Sequence, residues 1–211
     1  MQLSPTDRAA TDIRGEKKRI RALMREKRAL IPPELRAELD GRLCSLFMSL
    51  ACFRFADTVL MYCPVNGEPD ILPIAYEAVK RGKKIAFPVS DAKSSTMIFR
   101  YVDSPDELIC GAFSIPEPRN TCAPYTGEGN AVCIVPGFTF DRFGYRIGYG
   151  RGFYDRFLRG FTGISAGLVY SELFEATGEL PHGYYDIAAN VIVTEKEVLT
   201  TNADRSKEIR T

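Results

Sequence analysis

The chain of 211 residues has no tryptophan and a single histidine, His182. One histidine is too few for a histidine-rich metal centre and argues against a serine–histidine triad. No stretch approaches the ~20 uninterrupted apolar residues of a membrane-spanning helix. Met1 to Thr11 is polar and lacks the apolar core of a secretory signal, so a cytoplasmic address is expected. Six cysteines (Cys44, Cys52, Cys63, Cys110, Cys122 and Cys133) are present, with no CxxC pair among them. Reduced thiols acting as small buried hydrophobes are the expectation. Charge of one sign is also missing: the net charge is +1. The molecule as a whole is no polyanion binder, and any basic function must be local.

What is present reads as one α/β domain over 13–200, with loose ends at 1–12 and 201–211. Ile13 to Leu30 has helical periodicity and heavy basic charge, and Ile31-Pro32-Pro33 ends it. Pro33 opens a second helix with Leu35, Leu39, Leu43, Leu46, Phe47 and Leu50 at helical spacing. Strands and helices then alternate. Strands are expected at 58–63, 84–89, 96–102, 131–135, 164–170 and 191–194. Helices are expected over 70–81, with Asp70 as N-cap, briefly at 104–107, and from 152. This alternation predicts a three-layer α/β fold, a mostly parallel sheet flanked by helices on both faces. Ligands in such sheets sit beyond the carboxyl ends of the strands, which directs attention to the loops after Cys63, Val89 and Val135. Residues 116–130 form the one long irregular stretch.

The densest chemical signal is 135–156, VPGFTFDRFGYRIGYGRGFYDR. A buried strand turns at Pro136-Gly137, and Gly148, Gly150 and Gly152 then alternate with Tyr149 and Arg151 before a helix. Alternating glycines let a ligand approach the main chain, and successive N–H groups can form an anion nest. The following helix N-terminus adds free donors. Arg146 and Arg151 flank the nest, and Asp155 stands where it could hold a magnesium ion between two phosphates. The pattern is neither the GxGxxG dinucleotide fingerprint nor a P-loop, and three glycines alone would equally suit a tight turn.

The run Pro136-Gly137, Phe140-Asp141, Gly144, Arg146-Ile147-Gly148, Gly150, Gly152-Phe153-Tyr154-Asp155-Arg156 resembles that of the 5-formyltetrahydrofolate cyclo-ligase family. The resemblance implies a fold like the NagB/RpiA/CoA-transferase-like fold. It implies a ligase that converts 5-formyltetrahydrofolate and ATP to 5,10-methenyltetrahydrofolate, ADP and phosphate, with Mg²⁺. On it, ATP contacts fall on Lys17, Arg21, Arg146, Gly148, Tyr149, Gly150, Arg151, Gly152, Phe153 and Tyr154, with Arg146, Arg151 and Tyr154 catalytic. Metal contacts fall on Asp155 and Asp186, and folate contacts on Val65, Glu68, Asp70 and Phe113. Many members have two tyrosines before the aspartate, where this chain has Phe153-Tyr154. An aspartate is frequent four residues after Asp186, where this chain has Asn190.

The resemblance extends along most of the chain. Lys17 and Arg21, four apart, share one helix face and can reach one triphosphate. Arg14 stands in a similar local pattern one register earlier. Taken alone, this segment reads first as a solvated basic helix, with a nucleic-acid arm as the other reading. Glu68 and Asp70 follow an expected strand, where a carboxylate can accept two hydrogen bonds from the aminopyrimidine of a pterin. Turn-former and N-cap are their plainer roles. Phe113, in Phe113-Ser114-Ile115-Pro116, would stack on folate rings or simply sit in the core. The expected partners are the two small-molecule substrates, with neither nucleic acid nor membrane, in a monomer or weak homodimer. A kinase or ligase for another small acid, or a non-catalytic folate- or nucleotide-binding relative, remains a rival reading.

Overall fold

The computed structural model describes residues 5–91, 96–111 and 114–201, with side chains from residue 12 onward. Helix α1 (Pro5–Ala29) starts earlier than the periodicity predicts. It is followed by α2 (Pro33–Ser49) and the short α3 (Ala51–Arg54). Proline at N1 of α2 sets φ for the first turn and forfeits only an N–H that would lack a helical partner. The buried face of α2 is Asp40, Leu43, Cys44 and Phe47, while Leu35 is exposed. An acid joins that face because its Oδ1 accepts the Tyr170 hydroxyl (2.6 Å) and the Asp70 N–H (3.1 Å).

The central sheet has seven strands. They are β1 (Thr58–Leu60), β2 (Lys84–Asp91), β3 (Thr96–Val102), β6 (Ala131–Val135), β9 (Ile164–Leu168), β10 (Val191–Val193) and β11 (Val198–Thr200). Their order is β11-β10-β9-β6-β1-β2-β3. The five inner strands are mutually parallel, and β3 and β11 run antiparallel at the two edges. The mostly parallel three-layer α/β reading therefore holds, with an antiparallel strand closing each edge. All five residues of β6 are buried, as expected where both sheet faces are covered. Two-stranded pairs form from β4 (Ile109–Cys110) with β5 (Pro116–Glu117), and from β7 (Thr139–Phe140) with β8 (Arg146–Ile147). The stretch 116–130 thus contributes β5 and an isolated bridge between Pro124 and Arg100.

Helices α4 (Leu72–Lys80) and α5 (Phe153–Gly160) complete the layers. The N-cap of α4 is Ile71, not Asp70. Asp70 still supports this helix start, because its Oδ1 accepts the Leu72 N–H at 3.0 Å. The six cysteines are unpaired by disulfides. Cys44 and Cys133 are buried as expected, but Cys110 is exposed because β4 lies outside the core.

The site owes its space to unequal strand lengths. β1 pairs with β2 only as far as Leu60 opposite Ala86. β2 continues to Asp91 on β3 alone, and Pro88 falls in that overhang, where a missing N–H breaks no ladder to β1. A cleft opens above the ends of β1 and β6, and α1 lies across it.

Candidate functional site

The carboxyl ends of β1, β2 and β6 floor a cavity of about 1140 Å³. That slightly exceeds the ~300–1,000 Å³ typical of one drug-sized ligand. Each of the three loops singled out from the sequence contributes to it: Tyr62, Cys63, Val65, Asn66 and Glu68 after β1, Pro88 and Ser90 in the β2 overhang, and Pro136 after β6. Arg14, Lys17, Lys18 and Arg21 of α1 form one wall, so the Arg14 and Lys17 registers both face inward. The whole run Arg146 to Asp155 forms another.

The glycine loop is held open by backbone geometry. Gly150 (φ 89°) and Gly152 (φ 67°) are left-handed, and Gly152 caps α5. Phe153, Tyr154 and Asp155 follow in the first turn of α5. Arg21 donates from Nε to the Gly148 carbonyl (2.7 Å), so α1 and the loop are latched together. Burial, helped by nearby Arg25, lowers the pKa of Arg21. The Tyr154 hydroxyl is buried on the cavity wall without a partner, and its ring meets Phe99 edge-on at 6.3 Å.

Two ion pairs join cations and carboxylates of the site. Arg146 pairs with Asp155 Oδ1 (2.8 Å) and donates to the Ile187 carbonyl (2.7 Å). Asp155 Oδ1 also accepts the Ile187 N–H (3.1 Å). Lys17 pairs with Asp186 Oδ2 (2.5 Å), which the Gly183 N–H also caps at 2.6 Å. Asp155 and Asp186, far apart in sequence, thus meet the same wall. No group of three or more His, Cys, Asp or Glu suited to a metal occurs among the described residues. Two carboxylates and no closed cage suit magnesium, which keeps several waters and is usually shared with substrate phosphates. These residues fit that ion in that mode.

Glu68 is the most unusual group. It is only 5% exposed. Its Oε2 accepts the Val65 N–H (3.0 Å), which seats Val65 at the cavity edge. Its Oε1 is buried and meets no hydrogen-bond partner, although the Tyr149 hydroxyl lies near enough to bias it toward the ionised form. Burial raises its pKa to about 7, against the opposing pull of Val65 and Arg28. Burial and the Glu68 charge push Tyr149 up to about 12. Oε2 thus accepts a backbone N–H, while Oε1 is the oxygen without a hydrogen bond. Asp70 is exposed, does not line the cavity and braces α4 instead. Phe113 lies outside the described residues. Arg151 is exposed at the cavity rim.

Arg28 was not singled out as a site residue. It is fully buried, stands 4.6 Å over the Phe138 ring, and donates to the Gly137 carbonyl. Its Nε and Nη1 have no hydrogen-bond partner. The signal was in the spacing: Lys17, Arg21 and Arg28 fall on one helix face. Asn190 is structural, its Oδ1 accepting the Ser165 N–H and hydroxyl (both 2.9 Å). His182 stacks on Tyr145 at 3.6 Å, pinning the loop that carries Asp186.

Fold and site together define an α/β protein with a largely basic, glycine-lined cavity above the carboxyl ends of a parallel sheet. Residues 13–195 match the model of the 5-formyltetrahydrofolate cyclo-ligase family. The chain belongs to that family. It is 27% identical over 179 residues to the 5-formyltetrahydrofolate cyclo-ligase of Escherichia coli, covering 83% of this chain and 98% of that one. It is 29% identical over 188 residues to that of Mycolicibacterium smegmatis, covering 85% and 94%. Among solved structures it resembles the 5,10-methenyltetrahydrofolate synthetase of Aquifex aeolicus, with 34% identity, a TM-score of 0.76, and 88% and 93% of the two chains covered. A Mycoplasma pneumoniae synthetase shares the fold at 19% identity and a TM-score of 0.65, over 85% and 99% of the chains.

Proposed function

We propose that this chain converts 5-formyltetrahydrofolate and ATP to 5,10-methenyltetrahydrofolate, ADP and phosphate. The observation that carries the reading is the single cavity with two unlike walls. One is lined by Lys17, Arg21, Arg146 and the glycine loop, and the other offers Val65 and the buried Glu68. A triphosphate suits the first wall and a flat heterocycle the second.

A formamide oxygen is a poor leaving group. In the proposed reaction it attacks the γ-phosphorus of ATP, the bond to the β,γ-bridging oxygen breaks, and ADP departs. The folate N10 then attacks the formyl carbon, loses its proton, and phosphate leaves with the carbon–oxygen bonding pair. Such phosphoryl transfer asks the protein for in-line positioning and charge neutralisation rather than a nucleophile. Lys17, Arg21, Arg146, Arg151 and the loop amides hold the phosphates, and the Tyr154 hydroxyl is a buried donor facing the same space. Asp155 and Asp186 would hold Mg²⁺, which supplies neutralisation of the phosphate charge. Lys17 and Arg146, now paired with Asp186 and Asp155, would find phosphate oxygens as alternative partners when ATP binds.

The test is to mix the protein with 5-formyltetrahydrofolate, ATP and Mg²⁺ and follow the near-ultraviolet absorbance of the methenyl product. Absorbance that grows only with all three present supports the reading. ATP turnover with other small acids but not with this folate would refute it.

A further inference from the structure

We propose, building on the folate reading, that Glu68 is the base that takes the N10 proton as the second carbon–nitrogen bond closes. When N10 attacks the activated formyl carbon, nitrogen becomes four-coordinate and positively charged. The N10–H bond must break with its electron pair returning to nitrogen, so that phosphate can be expelled. In a cavity closed around two substrates the proton needs an acceptor within hydrogen-bond reach.

Four carboxylates line the cavity: Glu68, Glu117, Asp155 and Asp186. Asp155 is paired with Arg146 and Asp186 with Lys17, both on the phosphate wall. Glu117 faces the Ser90 N–H at 3.3 Å. Among the described residues, Glu68 is the one cavity-lining carboxylate with a buried oxygen that meets no hydrogen-bond partner. Buried polar atoms are rarely left so, and an unpartnered acceptor on a residue that lines a cavity calls for a donor. Oε2 already accepts the Val65 N–H, so Oε1, the oxygen without a hydrogen bond, is the one assigned to the incoming N–H.

The surroundings keep this acid poised. Arg28 from α1 favours the charged form, as do the Val65 N–H and the Tyr149 hydroxyl, while burial opposes it. Tyr62, Cys63 and Tyr154 also feel the Glu68 charge. All three hold pKa values raised above their ordinary ones and stay neutral near pH 7, leaving Glu68 to change charge there. A pKa near 7 is where a general base is most effective at neutral pH.

The experiment uses the full chain and its Glu68→Gln variant in single-turnover absorbance runs with 5-formyltetrahydrofolate, ATP and Mg²⁺ across pH 5.5 to 9. Calorimetric titrations with each substrate run alongside. Glutamine keeps the shape and an acceptor oxygen but takes no proton. The expected result is a rate lowered by about 100-fold or more, with folate and ATP dissociation constants within about threefold of the parent. In the parent the rate rises with pH through about 7 and then levels, and in the variant that rise is absent. Glu68→Asp, which keeps the carboxylate, regains the rise and part of the rate. Unchanged ATP affinity verifies that the variants are folded. A full rate in Glu68→Gln, or a loss appearing wholly as weaker folate binding, overturns the proposal and leaves the folate reading standing. A parent protein that forms no methenyl product overturns both.

Discussion

Asp155 and Glu68 mark the two ends of the site and are held in opposite ways. Asp155 is partly exposed, at 24% of its side chain, and charge-paired with Arg146. Glu68 is buried with one bare oxygen. Removing the charge of Asp155 while keeping its shape, as Asp155→Asn, is expected to lower magnesium-dependent turnover by at least about 100-fold. The melting temperature should fall by only a few degrees, because the amide oxygen still accepts the Ile187 N–H. Steady-state kinetics and a thermal scan check both halves. At Glu68 the expectation concerns stability. Its folded pKa of about 7 lies above the ~4.3 of an unfolded glutamate. The folded chain therefore binds more protons between those values, and stability falls as pH rises through that window. Glu68→Gln should melt higher than the parent at pH 8, where the parent carries a buried charge, and show no such gain at pH 5. Equal shifts at both pH values would contradict the pKa. Neither carboxylate's state was legible in the sequence. A run such as Pro64-Val65-Asn66-Gly67-Glu68 shows a turn, but not which oxygen the Val65 N–H occupies.

Among the elements, the loop from β6 to α5 combines glycines under very different constraints. At Gly144 (φ 94°) a Cβ would stand 2.3 Å from the Ala189 carbonyl oxygen, whose own loop leads into β10. At Gly148 a Cβ would meet nothing within 4 Å. Gly144→Ala is expected to cost at least about 2 kcal/mol in urea unfolding, from backbone strain and collision together. Gly148→Ala should change stability by less than about 1 kcal/mol. If its openness serves a ligand's approach to the backbone, ATP affinity should still fall about tenfold, which a nucleotide titration measures; unchanged affinity would place the phosphates elsewhere. The elements themselves were mostly legible. Buried runs such as Ala131 to Val135 announce a strand covered on both faces. The prolines at 32 and 33 separate α1 from α2. The short pairs β4–β5 and β7–β8 were not legible, since two residues carry no period. The edge strands β3 and β11 gave no hint of running antiparallel, because apolar content does not encode direction.

Over the whole molecule, α1 is a basic helix laid over the open end of the sheet and fastened there by Arg21 to Gly148, Arg28 to Gly137 and Lys17 to Asp186. A ligand that replaces the last contact with a stronger bridge stabilises the folded chain by mass action. Magnesium-ATP should raise the melting temperature clearly. ATP with a chelator should raise it much less, since bare phosphates then face Asp155 and Asp186. Asp186→Asn should narrow that difference, as one repelling carboxylate is gone. Equal shifts with and without metal in the parent would mean that the carboxylates do not face the nucleotide. No described helix is long and apolar enough to cross a membrane.

The sequence by itself determined the alternation of strands and helices, the glycine-rich turn into α5, and the basic face of α1. Each is a local property, set by side-chain period, backbone permissiveness or charge within a few residues. Only the tertiary structure decided that Lys17 meets Asp186, 169 positions away, and that Asp70 braces a helix while Glu68 is buried at the cavity with one unpartnered oxygen. It alone decided that Arg28 is buried behind them. Those outcomes depend on which strands pair and where β2 outruns β1, and no local pattern specifies contacts between segments so distant along the chain.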